Sequence, residues 1–304
     1  MLAELTEDGV VILDGGLSNA LEDRGVDLSS DLWTARLLSD APHEIAAVHR
    51  AYFEAGAQVA TTASYQASVP SLVAAGLDPA VAEQLITASV TIARDVRDEM
   101  AATRPAGNGP LLVAASVGPY GAVLADGSEY RGRYGLSAAQ LREFHLPRLE
   151  TLAAAGPDML AVETIPDLEE AEALVPLLDE IGIPAWFSYA VQGTATRAGQ
   201  PLEDAFAVLR DSSAVEAVGV NCSAPHDVLE AVRIATAVNG RPAVAYPNRG
   251  EEWDSSTNTW QGTGEYAAAL ATGWVAAGAR LVGGCCRVGP EEIAGLAAEL
   301  AQQT

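Results

Sequence analysis

Apolar residues along this chain fall into two alternating kinds of run. Short runs rich in β-branched residues, each closing on glycine, proline or a polar residue, read as strands. They are VVILD (10–14), AQVATTAS (57–64), LLVAASVG (111–118), DMLAVET (158–164), AWFSYA (185–190), AVGVNC (217–222), AVAYP (243–247) and RLVGGCC (280–286). Between them lie longer Ala- and Leu-rich segments whose apolar spacing suits helices packed on one face. Examples are APHEIAAVHRAYFEAG, DPAVAEQLITASVTIARDVRDEM, LSAAQLREFHLPRLETLAAAG and DLEEAEALVPLLDEIG. Several end on a glycine suited to a C-cap, as at Gly56, Gly156 and Gly182. Near-continuous apolar strands alternating with amphipathic helices predict a parallel sheet covered on its faces. Eight such units in about 300 residues favour an α/β fold closed as a (β/α)8 TIM barrel over an open doubly wound sheet. No linker or composition shift divides the chain, so residues 1–304 are expected to form one barrel domain. The loops GPYGAVLADGSEYRGRYG after the third strand and PNRGEEWDSSTNTWQGTGEY after the seventh are long enough to read as functional.

Charge narrows the partners. The 304 residues carry 41 acids against 17 bases, a net charge of −24, which repels phosphate backbones and anionic lipid. All 17 bases are arginine, so Schiff-base chemistry and a Walker-type phosphate lysine are excluded. No stretch approaches the roughly 18 uninterrupted apolar residues of a membrane helix, and MLAELTEDGV places acids where a signal peptide carries bases. A cytoplasmic protein acting on small molecules, without nucleic acid or membrane partners, is the expectation. Three cysteines cannot all pair within one chain, which favours reduced thiols.

A barrel gathers its chemistry where the strands end. Asp14 closes the first strand, Tyr65 follows the second, Glu163 closes the fourth, Cys222 the sixth, and Cys285 and Cys286 the eighth. Free cysteine is common in cores, but core filling does not explain why every cysteine falls at a strand end. A vicinal disulfide closes a strained ring. Three thiolates at one rim match instead an open zinc site with one exchangeable position, and the preceding glycines let the backbone turn to aim both sulfurs inward. Three thiolates donate heavily and blunt the Lewis acidity a zinc hydrolase needs. Such a site suits a substrate thiol in the fourth position, so thiol alkylation is the best match. A zinc hydrolase, a structural zinc site and a redox sensor are the alternatives, separated by whether a thiol cosubstrate is required. Asp14 and Glu163, taken singly, read equally well as a helix cap and an arginine partner; their place beside three cysteines favours function. His43, His49, His145 and His226 lie in or beside helices and read as surface or packing residues. Trp253 and Trp260 read as a lid or as loop anchors.

These residues resemble the homocysteine S-methyltransferases, zinc enzymes on a (β/α)8 barrel. LDGG, GVNC and GGCC carry the likeness, and SDLWTARLL, AGAQVATTASYQAS, ASVGPYGAVLADGSEYRG, AVETIP and YPN extend it over nearly the whole chain. Together they are similar to the branch that uses S-methylmethionine or S-adenosylmethionine. The resemblance implies that Cys222, Cys285 and Cys286 hold zinc, that Glu163 and Asp14 take the amino group of homocysteine, and that methionine is the product. The amides of Gly15 and Gly16, at the start of the helix near LSNALEDRG, would suit the substrate carboxylate. Trp33 and Tyr65 follow strands one and two and would offer aromatic faces to a sulfonium cation. S-methylmethionine, the smaller donor, is expected to work better than S-adenosylmethionine, and betaine poorly, since Thr164 stands where the betaine branch has Tyr. Methylation of another thiol or selenol is the nearest alternative. The chain departs from the family pattern at Arg249, where the family has Ser and where an inward guanidinium would repel a cationic donor. It departs again at Val288, Gly289 and Pro290, where GPEEI still predicts a helix begun by proline with acids in its first turn.

Overall fold

Each of the eight apolar runs is a strand in the structure, a computed structural model that describes residues 2–7, 9–28, 33–105, 109–124, 126–254, 259–264 and 266–302. The strands are β1 (Val11–Ile12), β2 (Val59–Thr61), β3 (Leu112–Val117), β4 (Met159–Ile165), β5 (Ala185–Tyr189), β6 (Val215–Asn221), β7 (Ala243–Tyr246) and β8 (Ala279–Val282). All neighbours are parallel, in the order β1-β8-β7-β6-β5-β4-β3-β2. The ring closes between β1 and β2 through a Leu13–Val59 bridge and a 2.7 Å hydrogen bond from Gln58 N–H to the Ile12 carbonyl. This is the (β/α)8 barrel that the alternating pattern predicts.

Strand alternation divides the apolar residues into two cores. Leu160 and Val162 of β4 point outward into the belt under the helices. Met159 and Ala161 point inward, where they meet Val59, Ala114, Trp186, Val244 and Leu281. Leu2, on the helix Leu2–Glu7, joins the inner cluster, and its N–H donates to Glu216 at 2.6 Å.

The helix signals hold too. Asp78 caps Pro79–Thr103, Ser137 and Gln140 form a capping box on Ala138–Ala154, and Gly182 closes Leu168–Ile181 at φ +73°. Among the described residues no helix is long and apolar enough to cross a membrane.

The inward alternation continues upward, and its last layer is polar. Two residues beyond the apolar layer come Thr61 on β2, Ser116 on β3, Glu163 on β4, Ser188 on β5 and Tyr246 on β7, joined by Asn221 on β6. The barrel floor is therefore sealed by hydrocarbon, and its mouth is lined by hydrogen-bonding groups.

Candidate metal centre and active site

Cys222 follows β6 with φ +48°, a left-handed conformation costly for a residue with a Cβ. Its N–H donates to the Tyr246 carbonyl at 3.3 Å, which fixes it beside β7. The Cys285 N–H donates to the Pro247 carbonyl at 2.8 Å, and the Cys286 N–H to Asn248 Oδ1 at 3.1 Å. The segment after β7 thus holds both vicinal cysteines by their backbones. The three sulfurs lie within 4.8 Å of one another, with Cys222 and Cys286 3.6 Å apart. Tetrahedral zinc with sulfur at about 2.3 Å requires sulfur separations of about 3.8 Å, so this donor set fits the metal.

One expectation about the glycines is corrected. Gly283 and Gly284 do not make the turn; Arg287 does, with φ +65°. The glycines are needed for room, because a Cβ at Gly283 would lie 2.6 Å from the Leu13 Cβ and one at Gly284 would lie 2.1 Å from the Val288 side chain.

Packed this closely, the thiols share negative charge unequally. Hydrogen bonds from Cys222 and then Cys285 hold the Cys286 thiol well below the ordinary range, while Cys285 is pushed up by its hydrogen bonds to Cys222 and Cys286 and by burial. A divalent cation among the sulfurs would let all three ionise.

The same mouth holds two carboxylates, Asp14 just past β1, which neighbours β8, and Glu163 on β4. Asp14 accepts from Thr61 N–H at 2.6 Å and from the Thr61 hydroxyl at 2.8 Å. Glu163 accepts from the Ser116 hydroxyl and, at 3.1 Å, from Tyr246. Burial raises both to about 7 against these lowering hydrogen bonds, with Glu163 adding to the rise at Asp14 and Cys222 to that at Glu163. Among the described residues these two buried acids meet neutral donors, an arrangement whose chemistry fits an incoming cation. Tyr246 ties the carboxylate side to the sulfur side. It receives the Trp186 indole N–H at 2.8 Å and lies 2.7 Å from Ser188, which donates to Asn221 at 2.8 Å. Asn221 in turn accepts from the Thr164 N–H at 2.7 Å, holding that residue at φ +61° beside Glu163.

Comparison with known proteins decides the family. The homocysteine S-methyltransferase family model matches residues 11–300. The chain is 45% identical to homocysteine S-methyltransferase of Escherichia coli over 301 residues, 97% of each chain, and 43% identical to a homocysteine S-methyltransferase of Bacillus subtilis over 295 residues, 95% of this chain and 94% of that one. The chain belongs to the homocysteine S-methyltransferase family. The metallated form of the Escherichia coli homocysteine methyltransferase superposes with a TM-score of 0.88 at 43% identity, covering 97% of this chain and 98% of that one.

Within this methyltransferase the remaining sequence candidates fall in different places. The Gly16 N–H already donates to the Val288 carbonyl at 2.9 Å, which narrows the expected carboxylate contact to the Gly15 amide. Tyr65 lies against Gly118, where a Cβ would come within 2.6 Å of its ring, and burial followed by the Cys222 charge pushes its phenol up. Trp33 begins the helix Trp33–Asp40, but its side chain lies outside the described residues. Trp253 and Trp260 pair across a hairpin of Glu252–Asp254 with Thr259–Gln261; their side chains also lie outside the description.

Arg249 does not stand free. It donates to Glu251 through Nε at 2.9 Å and approaches Glu292 at 3.7 Å. The Val288 departure is benign, since Pro290–Ala301 is a helix whose Glu292 accepts from Gly289 N–H at 2.9 Å. His43 and His226 are exposed, and His49 and His145 are buried, so none approaches the sulfurs as a described ligand.

Besides the hydroxyls of the polar mouth, two loop residues escaped sequence reasoning. Tyr130 places its hydroxyl 3.2 Å from Cys222 Sγ, and Glu129 beside it has a raised pKa, from burial first and then from the Cys222 charge. Both lie in the long loop after β3, and the signals for them were loop length and the family likeness of the stretch ASVGPYGAVLADGSEYRG.

Proposed function

We propose that this methyltransferase moves a methyl group from a sulfonium donor to homocysteine, giving methionine, with zinc held by Cys222, Cys285 and Cys286. The observation that carries the reading is the gathering of three sulfurs within 4.8 Å at the same barrel mouth as two buried acids whose partners among the described residues are neutral. Zinc bound there supplies a Lewis acid that lowers the pKa of a substrate thiol in the fourth position.

The chain's own residues do the rest. Glu163 and Asp14 take the substrate ammonium, and the Gly15 amide suits its carboxylate. Near neutral pH each carboxyl holds a proton part of the time, so the arriving ammonium favours ionisation and expels a proton. Tyr65 offers a π face to the sulfonium. The methyl carbon must lie in line between the donor and acceptor sulfurs; its bond to the donor breaks, and the electron pair leaves with a neutral thioether. A small donor reaches that alignment beneath the two long loops more readily, which favours S-methylmethionine over S-adenosylmethionine.

The test is an assay of purified protein with homocysteine and each donor, alongside metal analysis. About one zinc per chain is expected, with loss of metal and activity in Cys285→Ala. Full activity in metal-free Cys285→Ala protein, or betaine as the preferred donor, overturns the reading.

A further inference from the structure

A site that activates one thiolate for methylation must keep its other thiolates from taking the methyl group. Three protein sulfurs stand within 4.8 Å of one another, so a sulfonium positioned for the substrate is also close to them. The Tyr130 hydroxyl stands 3.2 Å from Cys222 Sγ and also reaches Cys286. A thiolate that serves as a metal ligand carries no proton, so in that contact the phenol donates and the sulfur accepts. A charge-assisted hydrogen bond draws electron density from the sulfur and lowers its nucleophilicity without removing it as a ligand.

Tyr130 is held in place by a device that the reaction itself does not use. Its loop leaves β3 at Gly118, whose carbonyl accepts from the buried Arg148 guanidinium. Two residues later the Tyr120 N–H donates to Glu170 at 2.6 Å, and at the far end the Arg133 N–H donates to Asp167 Oδ2 at 2.6 Å. Arg133 also donates to the Ala198 carbonyl at 2.8 Å. Asp167 and Glu170 are the N-cap and a first-turn residue of one helix, Leu168–Ile181, which follows directly on the strand carrying Glu163. Arg197 lies over the Tyr130 ring at 5.8 Å. One helix start thus clamps both ends of the loop, and the phenol is presented to Cys222 from a fixed frame.

We propose that Tyr130 is a positioning residue whose hydroxyl shields Cys222 from methylation, so that the methyl group goes to the substrate sulfur. The proposal rests on the zinc-thiolate reading above. In the side reaction that Tyr130 suppresses, the carbon–sulfur bond of the donor breaks, its electron pair leaves with a neutral thioether, and a bond forms to the Cys222 sulfur. That sulfur becomes a neutral thioether, and neither a proton nor a redox partner is needed.

The experiment incubates zinc-loaded wild type and Tyr130→Phe with S-methylmethionine and no homocysteine, then maps methyl groups by mass spectrometry. Trypsin cleavage at Arg210 and Arg233 isolates the peptide holding Cys222. Wild type is expected to remain unmodified, and Tyr130→Phe to gain one methyl group on Cys222 and to release zinc as it does so. Cobalt substituted for zinc gives a second readout: the thiolate-to-metal band should move to lower energy in Tyr130→Phe, because the sulfur has lost its hydrogen bond. Asp167→Asn is the variant that leaves the ring and hydroxyl intact. Its oxygen still caps the helix, but its amide meets the Arg133 N–H donor to donor, so partial methylation of Cys222 is expected. An unmethylated Cys222 in both variants, or an unshifted cobalt band in Tyr130→Phe, overturns the inference. Wild type that binds no metal or transfers no methyl group to homocysteine overturns the underlying reading instead.

Discussion

Glu163 and Glu170 stand seven residues apart, one at the inward end of β4 and the other in the first turn of the helix behind it, and burial raises each to about 7. Their surroundings differ in kind. Glu163 is met by two neutral hydroxyls, Ser116 and Tyr246. Glu170 belongs to a buried relay. Arg148 donates to His145 Nδ1 at 2.7 Å, and His145 Nε2 donates to Glu170 at 2.8 Å, with burial and then Arg148 keeping the imidazole neutral. Arg148 is itself lowered by burial only to about 10 and remains a cation. The same displacement therefore marks a carboxylate linked through His145 to a buried cation in one place and, in the other, a carboxylate whose partners among the described residues are neutral hydroxyls. A raised carboxylate does not identify a substrate site; the absence of its counter-ion does.

The largest effect should come from breaking the relay at its cation. Arg148→Met leaves Glu170 and His145 buried without the guanidinium that faces them, a loss of about 3–5 kcal/mol of folding stability. Thermal and denaturant unfolding measure it directly. Adding Glu170→Gln should restore part of the loss, since replacing both members of a buried pair by neutral groups is often neutral. Wild-type stability in Arg148→Met would mean that the two glutamates do not differ in the way described.

Breaking the incomplete site should act on binding and leave folding intact. Glu163→Gln removes a charge-assisted contact worth roughly 1.5–3 kcal/mol, so the homocysteine KM should rise roughly ten- to hundredfold with zinc retained. Its stability should change in the opposite direction from that of Arg148→Met. In the unfolded chain Glu163 ionises near 4.5, whereas in the folded protein it ionises only near 7. The wild-type carboxyl is therefore neutral at no cost below 4.5, and stability falls as pH rises from 4.5 through 7. The Gln variant escapes that fall, so without substrate it should match wild type at pH 4 and exceed it at pH 8 by at most about 3 kcal/mol. A variant equally stable at pH 8, or one that loses its metal, would remove Glu163 from the role of ammonium acceptor.

The contrast also explains what was legible in the sequence. The eight strands were readable because both faces of a parallel barrel strand are buried, so each appears as an unbroken apolar run. Cys222, Cys285, Cys286, Asp14 and Glu163 were readable because they sit at strand ends, where a barrel places its chemistry. The same unbroken apolarity hid the polar mouth. With no visible alternation, single residues such as Ser116 and Ser188 inside LLVAASVG and AWFSYA gave no sign of facing inward. Tyr130 was hidden for another reason: a loop carries it across the rim, and no periodicity fixes where a loop goes. The GG pair was readable as a constraint but misassigned, because space and dihedral freedom leave the same mark in a sequence.

The smallest effect is expected where charge is paired in the open. Arg249 looked from the sequence like a cation placed to repel the donor, yet it turns to Glu251 and Glu292 and keeps about a third of its side chain in solvent. Glu251 also receives Arg287 at 3.2 Å, so two guanidinium groups share one carboxylate at the edge of the site. Burial pushes its carboxyl up, but the Arg249 hydrogen bond, its own backbone N–H and the charges of Arg249 and Arg287 together hold it low. With Arg249 about a third exposed and Glu251 shared between two guanidinium groups, this pair contributes about 1 kcal/mol or less. Arg249→Ala should therefore change the donor KM by roughly fivefold at most and leave the homocysteine KM unchanged, and added salt should shrink the difference further. Steady-state kinetics with each sulfonium at low and high ionic strength measures this. A drop in donor KM far beyond fivefold on removing the guanidinium would show that it faces the donor after all, and that the rim resembles the buried relay around Arg148 more closely than its hydrogen bonds indicate.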